Sequence, residues 1–177
     1  MANTFILIDS LTVGSGGASS ITLKQIGNIP NTYTDLKLFV SSRNTTNNQV
    51  IRFSFNGDTS NRSTLILYGE ASTGGGTPGS VTSSNGDTRV GVTSPSVATA
   101  NTFSFTEIYI PNYANTSVQK SFISNSGSES NTSDNMYNYL SEGLWESTSA
   151  ITSITLTPIS GDFAQYTTIY LYGIKNS

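Results

Sequence analysis

Apolar side chains fall at every second position in one short run after another, and no stretch repeats them at helical spacing. Leu36, Leu38 and Val40 alternate with Lys37 and Phe39. Ile51, Phe53 and Phe55 alternate with Arg52 and Ser54, and Ile154, Leu156 and Pro158 with Thr155 and Thr157. Successive side chains of an extended backbone point to opposite faces, so period two marks half-buried β-strands. About ten such runs, with turn signals every 8–12 residues, predict an all-β chain. The fold expected is an antiparallel β-sandwich or jelly roll with long polar loops, one domain over residues 1–177.

The last third of the chain carries the strongest strands. Ile169 to Tyr172 is apolar or aromatic at every position, so that strand has no wet face. Such a strand belongs inside a sheet, with a further layer or subunit over its second side. It follows the Ile154–Pro158 run through the turn-prone Ser160-Gly161-Asp162. The Leu36–Val40 and Ile51–Phe55 runs, joined by a polar tip at 43–48, predict a hairpin. The first two strands, either side of Gly14–Gly17, predict a hairpin or a crossing between sheets. In Thr102–Ile110 the apolar parity changes, and a β-bulge near Thr106 would bring Phe103, Phe105, Ile108 and Ile110 to one face. Residues 69–87 are Gly, Ser and Thr with Pro78 and no periodicity, which predicts a long exposed loop. A second Ser/Asn-rich loop is expected from Ser126 to Asn135, ending in the cluster Tyr137-Asn-Tyr139.

Charge and composition exclude several function classes. Asp, Glu, Lys and Arg make up 11% of the 177 residues, against about 25% in an average domain. Eight Lys and Arg spread along a chain of net charge −3 supply no basic stripe for phosphates, so no nucleic-acid partner is expected. Phe5-Ile-Leu-Ile8 is too short to span a bilayer and lacks the basic start of a signal peptide, so no membrane role is expected. Nine Tyr and eight Phe supply an aromatic core that a disordered chain lacks.

The chain has neither histidine nor cysteine. That removes Ser-His-Asp and Cys-His nucleophilic sites and the common zinc and haem ligand sets, and no cofactor is expected. A carboxylate pair of the glycosidase type is the remaining enzymatic option. Glu142 and Glu146 flank Gly143-Leu-Trp145, where a sugar could stack on the indole; the plainer reading is two solvated carboxylates beside a core Trp. Asn56, Asp58 and Asn61 could offer oxygen ligands to calcium, but they lack EF-hand spacing and Asn-Gly-Asp is common as a simple turn. Tyr33, Tyr68, Tyr113, Tyr137, Tyr139 and Trp145 could form a glycan-stacking or partner-binding surface. The alternative is that they close the ends of the sandwich.

Several segments together resemble a family of small tailed-bacteriophage virion proteins. They are Tyr33-Thr-Asp-Leu-Lys-Leu38, Ile51-Arg-Phe-Ser-Phe-Asn-Gly-Asp58, Asn112-Tyr-Ala-Asn-Thr116, Gly143-Leu-Trp145, Ser149-Ala-Ile-Thr-Ser-Ile-Thr-Leu156 and Gly161-Asp-Phe-Ala-Gln-Tyr166. The resemblance extends to the ending Leu171-Tyr-Gly-Ile-Lys175 and is weakest over residues 70–100. It implies a non-enzymatic structural component of the virion surface. The role expected is a capsid decoration (cement) protein that binds the major capsid protein as a homo-oligomer, a trimer. The alternative is a tail or fibre module that binds host surface glycan. The family brings no catalytic residues to transfer.

Overall fold

The computed structural model describes residues 4–24, 26–72, 75–84, 88–131 and 136–175. Among them are twelve strands: β1 (Phe5–Thr12), β2 (Ile21–Leu23), β3 (Asp35–Ser42), β4 (Val50–Phe55), β5 (Arg62–Ser72), β6 (Gly75–Ser84), β7 (Arg89–Val92), β8 (Ser104–Ile110), β9 (Lys120–Ser128), β10 (Met136–Trp145), β11 (Ile154–Pro158) and β12 (Thr168–Ile174). They form an eight-stranded sheet in the order β1-β12-β3-β8-β9-β10-β5-β6 and a four-stranded sheet in the order β2-β11-β4-β7. The strand pairs are antiparallel, and the two sheets pack face to face as a β-sandwich.

The alternation seen in the sequence selects the inner faces. Leu36, Leu38, Val40, Ile108, Ile110, Ile169 and Leu171 project from the large sheet onto Ile21, Leu23, Ile51, Phe53, Phe55, Ile154 and Leu156 of the small one. Each such side chain, fully buried, contributes roughly 1.5–3 kcal/mol. Phe53 lies edge-on to Phe55 and to Phe122, both at 4.6 Å between ring centroids. Phe122 in turn covers Gly143, where an added Cβ would lie 2.1 Å from the ring. Beyond this aromatic block the inner face of β8, β9 and β10 turns to hydroxyls. Thr106 and Ser126 hydrogen-bond each other at 2.6 Å, and Gly91 of β7 comes so close that a Cβ there would meet both. Small hydroxyl side chains thus let β7 lie directly on the large sheet.

Strand pairing differs from the sequence-based expectation in several places. β3 and β4 do not form a hairpin: they lie in different sheets, and the 43–48 segment carries the chain across the sandwich edge, bridged at Asn44 to Phe163. β11 and β12 divide between the sheets in the same way, as do β1 and β2, which takes the crossing alternative for the first two strands. Alternation reports which face a residue occupies, and says nothing about the neighbouring strand. The expected loop at 69–87 is instead most of a long hairpin, β5–β6, in register from Ser63↔Ser84 to Ser72↔Gly75. Positions 73–74 and 85–87 lie outside the described residues. The expected loop from Ser126 is also displaced, because β9 continues to Ser128 and β10 starts at Met136; positions 132–135 lie outside the described residues. No bulge interrupts β8. Its inner positions are Ser104, Thr106, Ile108 and Ile110, while Phe105 points away from the core.

Candidate functional site

The two outer faces of the sandwich have opposite chemistry. On the small sheet, Thr22 and Thr155 hydrogen-bond at 2.9 Å on the outer face, beside Thr157 and Arg52, as a solvated sheet would have it. On the large sheet the outer positions are largely apolar. At the β1–β8 end Phe5, Leu7, Tyr170 and Phe105 are 41–51% exposed; at the β9–β5 end Ile123, Leu140, Leu65 and Leu67 are 41–53% exposed. Soluble monomers rarely expose a contiguous apolar patch beyond a few hundred Å² without a functional reason.

Cross-strand register arranges this face in three rows perpendicular to the strands. The first runs Leu7, Tyr172, Lys37, Tyr109, Ile123, Glu142, Leu65. The second runs Tyr170, Phe39, Glu107, Asn125, Leu140, Leu67, and the third Thr168, Ser41, Phe105, Gly127, Asn138, Gly69. Phe39 stacks on Phe105 at 6.1 Å and meets Tyr172 edge-on at 5.9 Å, and Tyr172 meets Phe5 at 6.4 Å. Lys37 Nζ lies 2.5 Å from Glu107 Oε1 and 5.4 Å from the centroid of the Phe39 ring, while Glu142, exposed in the first row, adds a further negative charge to this face. Tyr109 Oη donates to Asp35 Oδ2 at 2.8 Å, which holds the phenol pKa above its ordinary value.

The candidate residues read from the sequence mostly lie elsewhere. Tyr113 and Trp145 are buried and Tyr139 is nearly so, which removes all three from any surface. Tyr113 anchors the 112–115 turn by donating to the Pro30 carbonyl. Trp145 packs on Phe55 at 5.5 Å and donates from Nε1 to Asp58 Oδ2 at 2.7 Å. Tyr33 is partly buried, its ring covering Gly173. Tyr68, Tyr137 and Tyr139 do meet, at 5.7 and 6.0 Å, on the inner side of the β5–β10 overhang. Tyr137 Oη donates to Glu70 Oε1 at 2.6 Å, and burial first, then Glu70, raises its pKa well above that of a free phenol. Behind them, on the outer side of the same strands, Gly69, Gly127 and Asn138 of the third row and Pro78 border a shallow trough of about 560 Å³.

Of the proposed calcium oxygens, those of Asn56 and Asp58 are engaged by the protein itself. Asn56 Oδ1 accepts from the backbone N–H of Thr152 at 2.7 Å and of Ser153 at 3.1 Å. Asp58 Oδ1 accepts from the Ser60 N–H and hydroxyl, both at 2.8 Å. These bonds, the indole's first, hold the Asp58 carboxyl below the ordinary 3.8. Asn61 donates from Nδ2 to Ser60 Oγ at 3.3 Å. The turn latches two strand ends together. Glu142 belongs to the outer face of β10, between Ile123 and Leu65, whereas Glu146 lies beyond the strand end. Four residues of extended chain put their Cα atoms about 13 Å apart.

Sequence reasoning missed Phe105, Ile123, Leu140, Leu65 and Leu67 as surface residues. The signal was present in β8 and β9, where small hydroxyl residues hold the opposite parity: Ser104 and Thr106, then Ser124, Ser126 and Ser128. No family model, no curated protein and no solved structure matches this chain.

Proposed function

We propose that this chain is a non-enzymatic structural protein of a bacteriophage particle, a capsid decoration protein that works as a homo-oligomer on the major capsid protein. The observation that supports this reading most is the apolar outer face of the eight-stranded sheet, set against the threonine- and arginine-bearing outer face of the other sheet. A chain with one such face is built for assembly, and the virion resemblance supplies the setting. Lys37 and Glu107 pair with each other between the two apolar ends of the face, so most of its outward area is left to apolar and aromatic side chains. The experiment is a copy count by quantitative mass spectrometry of purified particles. A stoichiometry comparable to that of the major capsid protein is expected, and copies only in the tens would overturn the decoration reading.

The second reading is a tail or fibre module binding host surface glycan. It is favoured by the trough bordered by Gly69, Pro78, Gly127 and Asn138, beside Tyr137 and Glu70. Saturable binding of host polysaccharide, lost in Asn138→Ala, would support it. No binding at millimolar saccharide would remove it.

A further inference from the structure

We propose that the outer face of the eight-stranded sheet pairs with the same face of a second copy of this chain, about a two-fold axis parallel to the strands along the β8–β9 seam. The inference rests on reading that face as an assembly surface and names its occupant. Two-fold interfaces are isologous, so the patch must complement itself. The eight strands, at about 4.8 Å spacing, and seven residues at about 3.3 Å rise outline roughly 900 Å². A standard stable interface buries about 800 Å² per partner.

The strand order makes the complementarity explicit. With the axis on the β8–β9 seam, each strand faces the one at the mirrored place in the order: β8 faces β9, β3 faces β10, and β12 faces β5. Rows are retained. Lys37 then opposes Glu142 of the second copy, and because the axis is two-fold this charge pair occurs twice. In the second row Phe39 opposes Leu140, Tyr170 opposes Leu67, and Glu107 opposes the Asn125 amide. In the third row Phe105, the projecting ring, opposes Gly127. An added Cβ on Gly127 would come no nearer than 3.9 Å to another residue of its own chain, so the glycine leaves open space there. The other in-plane axis, perpendicular to the strands along the second row, opposes Glu107 to Glu107. It is disfavoured by charge. A three-fold ring cannot use one patch on itself, so this face makes pairs in place of the trimer read from the sequence.

A zero-length carbodiimide cross-link on the unmodified full chain tests the pairing. Within one chain Lys37 and Glu142 lie three strands apart, about 14 Å, beyond a direct amide bond. Lys37 and Glu107, at 2.5 Å, serve as the internal control. The expected result is a covalent species at twice the 18.8 kDa chain mass that carries a Lys37–Glu142 peptide. Sedimentation equilibrium should give the same mass without cross-linker. Phe105→Gly alone and Gly127→Phe alone should each weaken association roughly tenfold or more, as loss of a central aromatic contact does. The double variant, which moves the ring to the other side of the seam, should restore it. Circular dichroism melts confirm that each variant is folded. A monomer or a trimer in solution overturns the pairing, as does a dimer with no Lys37–Glu142 product or one indifferent to both single variants. A monomer that still coats particles through this face would overturn the pairing and leave the assembly reading standing.

Discussion

Lys120 has no exposed surface, yet its ammonium is satisfied: Nζ donates to the carbonyls of Asn115 and Val118 at 2.6 Å and of Thr148 at 3.1 Å. One side chain thereby ties two loops to the end of β9. Nothing in the sequence distinguishes this lysine from a solvated one, because its acceptors are backbone atoms contributed by remote residues. Lys120→Met keeps the length and strands three carbonyls, so it should cost at least about 1–3 kcal/mol in urea unfolding. A loss under about 0.5 kcal/mol would contradict the arrangement. Asp58 makes a separate prediction with a defined pH dependence. Its carboxyl is held below 3.8 in the folded chain by Trp145 and Ser60, so the unfolded chain binds more protons as pH falls past that value. The stabilisation is complete above the unfolded pKa and is lost as pH falls through the folded one. Asp58→Asn should therefore be less stable than the parent at pH 7, with the gap closing towards pH 2 to 3. A gap independent of pH would remove the carboxylate from the latch.

At the scale of strands, the face of β3, β4 and β11 was legible because their apolar and polar residues alternate without interruption. In β8 it was not. Counting aromatics as core residues asks for a bulge at Thr106, but the strand instead keeps regular alternation and turns Phe105 outward. The doubly apolar β12 was legible in a different sense: Ile169 and Leu171 face the core, and Tyr170 and Tyr172 open onto the outer face. Its place inside a sheet was readable, whereas the layer expected over its second side is not supplied by this chain, where Tyr170 is 41% exposed. The β5–β6 hairpin escaped detection because β6 is an edge strand held by a backbone ladder to β5, with Tyr68 lying on Gly79, and needs few apolar side chains of its own. These assignments are testable by a contrast. Leu38→Ala, inside β3, should cost on the order of 2–5 kcal/mol. Phe105→Ser, on the neighbouring strand but facing outward and losing its stacking on Phe39, should cost the isolated chain clearly less, about 0.5–1.5 kcal/mol. Equal losses at the two positions would overturn the inner and outer faces assigned here.

For the whole molecule, the sandwich is asymmetric in a way that matters for function. One outer face is polar and the other largely apolar, while the candidate tyrosines and tryptophan of the sequence reading serve mainly the interior. Two sheets and one principal core could be read from alternation and turns. The apolar outer face could not, because a half-exposed leucine and a buried one look the same until the register is known. The most direct measurement is a density map of the purified particle at a resolution that separates strands. Chains at symmetric positions over the shell, each with the eight-stranded sheet's outer face covered, are the expected result. Chains confined to the tail, or standing on the shell with Phe105 and Leu140 open to solvent, would contradict it.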